Sequence, residues 1–148
     1  MDNRTELLTR LLSPLGIKEY DIPEEEPMGV IGDIGLRPRD MIKFGLLYQN
    51  KGNWQGEQLI PEEWISLSTS PKIQVTDALS YGYFWWTKEF DYQGERIGAY
   101  FAWGYGGQYI VVIPTLELVV VMSGSHWTTH PEGQGLEIVQ EVVNAVMS

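Results

Sequence analysis

The stretch FAWGYGGQYIVVIP, residues 101–114, decides how this chain is read. Its right half, Tyr109 to Pro114, is an apolar run suited to a buried β-strand. Its left half carries Gly104, Gly106 and Gly107 within four positions. Glycine weakens strands because it adds backbone entropy and packs nothing. Three together mark either a bulge that joins two strands or a place where another group must approach the backbone closely.

Working outward, LELVVVMSG (116–124) follows at once through Thr115 and Leu116, so the two runs predict a tight antiparallel hairpin. Upstream, YGYFWWTKEF (81–90) and ERIGAYFAW (95–103) read as two further extended segments. Alternation along the first puts Trp85 and Trp86 on opposite faces. Downstream, GLEIVQEVVNAVM (135–147) spaces Leu136, Val139, Val143 and Val146 along one helical face.

The first seventy residues predict helices instead. TELLTRLL (5–12) places four leucines on one face, and SPLGI stops it. RPRDMIKFGLLYQN (37–50) opens with Pro38, whose missing N–H costs nothing in a first turn, and carries a Met41, Phe44, Leu47, Tyr48 stripe. PEEWISLSTS (61–70) puts Glu62 and Glu63 in its first turn, where the helix dipole favours them. Residues 20–37 read as a long loop, and NWQGEQLI as a turn with a short extended piece. The order predicts an α+β domain over 1–148, an antiparallel sheet of three to four strands with flanking helices.

Composition limits the partners. A net charge of −10 opposes nucleic acid and anionic membranes, which both need Lys and Arg. The PEEEP run at 23–27 reads as a solvated loop. With no cysteine there is no disulfide, thiolate metal site or Cys nucleophile. The start MDNRTELLTR has no basic region leading into an apolar run, so no signal peptide is expected and the default compartment is the cytoplasm. Aromatic residues reach 12%, a surplus for core, interface or pocket lining.

SPLGI (13–17), GLRPRDMIKFGLLYQNKGNWQGEQLIPEEWI (35–65), YGYFWW (81–86) and WGYGGQYIVVIPTLELVVVMSG (103–124) together resemble the C-terminal part of the β-lactamase-related serine hydrolases. That family includes the class C β-lactamases, penicillin-binding-protein-like esterases and nylon-oligomer hydrolases. The resemblance spans nearly the whole chain. It implies an enzyme that acylates a serine and then hydrolyses the acyl-enzyme with water, without a cofactor.

The family's nucleophile sits in Ser-x-x-Lys and its general base in Tyr-x-Asn or Tyr-x-Ser, both N-terminal to the region seen here. In this chain SPLG, SLST, STSP, SPKI and SGSH all lack the Lys, TSPK starts with Thr69, and the Tyr motif is absent. The chain is therefore expected to be an incomplete hydrolase, silent by itself. The third family motif, of Lys-Thr-Gly type, is followed by a backbone N–H that helps form the oxyanion hole. The resemblance implies Gly104 as the motif glycine and the Tyr105 N–H as the donor, with Ala102 and Trp103 at the Lys and Thr positions; a slipped register puts Gly106 and Gly107 there instead. Trp103, Gly106, Gly107, Gln108 and Trp86 become the substrate wall. The missing cation disfavours penicillin-type substrates and leans toward small esters or amides. In the family, N-terminal strands pair beside the strand at 116–124, so its edge is expected to take the missing half or, in a homodimer, a second copy.

Two rival readings come from the residues alone. The same aromatic sheet could bind peptide or carbohydrate without chemistry. Glu62 with Glu63, or Asp91 with Glu95, could serve as glycosidase carboxylates, although solvated surface explains them as well. His126 and His130 have helical ligand spacing but lie in a loop-like stretch before Pro131 with no third ligand, so no metal site is expected. Asp40 is expected to be a structural carboxylate at a helix start.

Overall fold

The computed structural model describes residues 2–22, 34–124 and 130–146. The PEEEP run and His126 lie outside the described residues.

Helix α1 (Asn3–Leu7) starts where the Asp2 carboxylate accepts the Thr5 N–H at 2.8 Å, and it runs on as a π-helical turn over Leu8–Leu12. Leu12, Leu15, Ile17 and Ile22 form a small core with Leu47 of helix α2 (Pro38–Gln49). Within 20–37, β1 (Tyr20–Asp21) and β2 (Gly35–Leu36) pair antiparallel, so the ends of the expected loop are extended. A second small hairpin, β3 (Asn53–Trp54) and β4 (Glu57–Gln58), precedes helix α3 (Glu62–Thr69).

The main sheet has six strands, more than the three or four expected. The additions are the two-residue strands β5 (Ile73–Gln74) and β6 (Ser80–Tyr81). They precede β7 (Trp86–Tyr92), β8 (Glu95–Gly104), β9 (Gln108–Ile113) and β10 (Leu118–Met122). The spatial order is β10-β9-β8-β7-β6-β5, antiparallel throughout. The segment 81–90 is broken because Gly82 and the left-handed Phe84 (φ 65°) turn the chain between β6 and β7.

One helix packs on each face of the sheet, α4 on one side and α2 over the β9 and β10 part of the other. Helix α4 (Gln134–Ala145) lays Leu136, Val139 and Val143 on Ile97, Ala99, Phe101, Tyr109, Val111 and Ile113. Gly135 lets it approach, since a Cβ there would sit 2.5 Å from the Tyr109 ring. The Gln140 amide holds the other end, accepting from Asp91 N–H at 3.1 Å and donating to Asp91 C=O at 2.8 Å. On the opposite face, Tyr48 of α2 packs with Trp85, Tyr100, Val112 and Val119. Burial on both faces explains why β8 and β9 are apolar almost without a break. Strand β7 instead alternates, and Thr87, Glu89 and Asp91 point to a face that α2 does not cover.

Asp40 anchors α2. Its side chain is 2% exposed and lies 2.9 Å from both Arg37 Nε and Lys43 Nζ. Arg37 also reaches Glu19 at 2.7 Å, and Lys43 donates to the Gly16 carbonyl at 3.2 Å. The lysine hydrogen bond is the largest influence on the carboxyl and holds its pKa below the usual value, against the opposing effect of burial.

Candidate functional site

The glycines of the opening stretch form a turn. The β8–β9 ladder ends at the pair Gly104 and Gln108, and Tyr105, Gly106 and Gly107 make the three-residue reversal. Gly106 (φ 96°) and Gly107 (φ 81°) hold the left-handed conformation that only glycine adopts freely. Gly104 has no such constraint, and a Cβ on it would make only an ordinary 3.6 Å contact with Gln108 Cβ. Tyr105 projects into solvent, 67% exposed, at the tip of β8 and β9.

The remaining sequence-predicted site residues divide by face. Trp103 and Trp86 pack on the α4 side, with ring centroids 6.4 Å apart in an edge-to-face arrangement. Trp86 also stacks on Phe101 at 6.4 Å and lies 4.8 Å from Tyr81. Trp85 lies on the other face, 4.4 Å from Tyr48, as the alternation predicts. The indoles of Trp86 and Trp103 therefore complete the α4-facing core, while Gly104, Tyr105 and Gln108 are the exposed residues of the turn and Gly106 is buried in it.

The structure also brings together a serine and a lysine that the motif search passed over. Lys72 Nζ donates to Ser70 Oγ at 2.6 Å, and that hydroxyl donates to the Leu67 carbonyl at 2.9 Å. The ammonium acts as donor and the serine proton is held by a carbonyl, so the pair closes the end of α3 and activates no nucleophile. Tyr100 cannot serve as a base either. Burial first, and the Tyr48 charge second, raise its phenol well above the ordinary value, so it stays protonated at neutral pH.

The carboxylates considered for glycosidase chemistry are surface groups. Glu62 pairs with Lys51 at 2.9 Å, and Asp91 lies 3.7 Å from Arg96. Among the described residues no group of three ligating side chains could hold a metal ion, and no helix is long and apolar enough to cross a membrane. A cleft of about 570 Å³ lies over the face of β7 and β8 that α2 leaves open, with Thr87, Glu89, Gly98 and Tyr100 among its lining and Pro114 at one side. It contains none of the predicted site residues and sits at the end of the sheet away from the 105–107 turn.

No protein-family profile and no curated protein matches the sequence. A solved structure does match. A protein from Bacillus anthracis with the provisional name 6-aminohexanoate-dimer hydrolase superposes with a TM-score of 0.67 at 21% identity. The match covers 93% of this chain and 36% of that one. The likeness is one of fold, shared with part of that longer chain. This α+β arrangement is thus one that a longer hydrolase chain contains, in agreement with the resemblance drawn from the sequence, and this chain spans just over a third of that protein's length.

Proposed function

We propose that this chain is the C-terminal portion of a β-lactamase-like serine hydrolase, contributing the oxyanion-binding turn and part of the substrate wall. The observation that carries the reading is the Gly104–Gln108 turn between β8 and β9, where Gly104, Tyr105 and Gln108 are exposed and Gly106 is buried, in a fold that a longer hydrolase shares. Gly104, Gly106 and Gly107 flank Tyr105, so its sequence neighbours bring no side chain to crowd an incoming carbonyl. A preorganised N–H aimed at a developing oxyanion acts without reorganisation during the reaction. In this register the Tyr105 N–H is that donor. The attacking serine, with its Lys and Tyr partners, comes from polypeptide outside this chain. Ala102 and Trp103 offer no cation to a substrate carboxylate, so the substrates are small esters or amides rather than penicillins.

The test is reconstitution with the nucleophile-bearing portion, assayed on a short-chain nitrophenyl ester. Gly104→Val keeps the backbone conformation accessible but crowds the approach. Loss of one oxyanion donor typically costs ~3 kcal/mol of barrier, a drop of two orders of magnitude or more in kcat. The expected result is that loss with assembly intact. Full activity in the variant overturns this register and moves the donor to Gly106 and Gly107.

A further inference from the structure

Phe84 holds a left-handed backbone, φ 65°, with its ring 87% exposed. A bulky residue is rarely found there, because its Cβ crowds the following carbonyl. Such strain persists where the surrounding structure imposes it and something is gained in return. The imposition is visible. Gly82 N–H donates to Trp85 C=O at 2.7 Å, and Tyr83 N–H donates to Ser68 C=O at 3.0 Å. Gly82 is wedged so tightly that a Cβ would lie 2.6 Å from the carbonyl oxygens of Ser68 and Ser70. Among the described residues the return is not visible, since Phe84 is left 87% exposed.

Phe84 does not stand alone. Next to it in sequence, Tyr83 stacks on Trp64 of α3, with centroids 5.9 Å apart and ring planes within 16°. Both rings are 45% exposed, as is Leu67 one turn along the same helix. Lys72 Nζ stands 5.3 Å from the Tyr83 ring centre. Aromatic side chains grouped at the surface have the composition of a buried interface centre.

The occupant follows from length. The hydrolase with the matching fold is far longer than this chain, which spans 36% of it, so most of a chain of that length lies outside the shared fold and is available to pack on it. One face of the sheet is closed by α4, and α2 covers β9 and β10 on the other. We propose that the Trp64–Tyr83–Phe84 surface is the dock for the nucleophile-bearing remainder of the hydrolase, with the Phe84 ring as its anchor. This rests on the functional reading above and names the partner surface that reading requires.

The probe is the nucleophile-bearing upstream polypeptide that the functional reading requires, produced as a separate tagged chain. Phe84→Gly removes the ring and suits the left-handed backbone. In the isolated chain this variant is expected to melt at or above the wild-type temperature, because strain is relieved and no packing is lost. Toward the upstream polypeptide it is expected to bind more than about tenfold more weakly, as for an interface anchor, while Glu95→Ala in the distant β7–β8 turn binds normally. Hydroxyl-radical footprinting is expected to show Trp64, Tyr83 and Phe84 protected in the complex. Failure of the wild-type chains to associate, unchanged affinity of Phe84→Gly, continued oxidation of the three rings, or a lowered melting temperature of the variant each overturns the dock. A complex that depends on Phe84 but hydrolyses no ester leaves the dock standing and overturns the functional reading.

Discussion

Gly45 of α2 lies against Val119 of β10 with no room for a side chain between them, so that a Cβ on Gly45 would collide with Val119 Cγ1 and press on Ile110. This contact lets one helix seal the half of the sheet formed by β9 and β10. Glycine inside a helix normally costs about 1 kcal/mol relative to alanine. Here overpacking, typically ~1–3 kcal/mol, opposes that gain. Gly45→Ala is therefore expected to lower stability by about 1 kcal/mol in urea denaturation, against the usual trend for a helical glycine. A stabilised variant would show that α2 sits farther from the sheet.

The Asp40 cluster predicts acid sensitivity. Its carboxyl titrates below the ordinary 3.8 in the folded state, so the folded protein binds a proton there less readily than the unfolded chain. The stabilisation is complete above the unfolded pKa and is lost as pH falls through the folded one. Breaking a buried ion pair costs 3–5 kcal/mol. Arg37 is half exposed and can rehydrate, so about 2 kcal/mol is expected for Asp40→Asn at neutral pH. The difference between wild type and variant should shrink below about pH 4. A pH-independent difference would place the cost in packing rather than charge.

The turn glycines should separate by backbone conformation. Gly106→Ala and Gly107→Ala force a side chain into the left-handed region, at ~1–2 kcal/mol each. Gly104→Val, with space around it, should leave the melting temperature nearly unchanged. Equal destabilisation at all three positions would contradict the assigned turn.

Strand β10 ends the sheet, and among the described residues no further strand pairs with its outer edge. All five of its residues are half-buried and apolar, with no charge or proline to discourage pairing. The isolated chain is expected to self-associate through this edge. Light scattering across a dilution series should give masses above 16.9 kDa that fall on dilution. A constant 16.9 kDa species would show that the edge is covered from within.

Much of this fold is legible in the sequence because its signals are local. Pro38 opens α2, Pro61 precedes α3, and the paired apolar runs around Thr115 form the expected hairpin. Strand β5, and β6 as an element separate from β7, are not legible because two residues carry no period. They exist through pairing, β6 with β7 and β5 with β6, a tertiary effect. The break at Phe84 was hidden because nothing in the residue type announces a left-handed backbone. For the site, the glycine cluster was visible but its form as a turn was not. The facing of Trp86 and Trp103 toward α4 depends on register, which sequence leaves open. The Ser70–Lys72 contact is set by the end of α3 and matches no motif spacing.

The central claim is that the reactive serine lies outside these 148 residues while the oxyanion turn lies within them. Labelling with a serine-reactive fluorophosphonate, read by intact mass, tests it most directly. The account predicts no adduct on the purified chain, and an adduct on the upstream polypeptide once the two are combined. A stoichiometric adduct on any serine of this chain, Ser70 included, would contradict it.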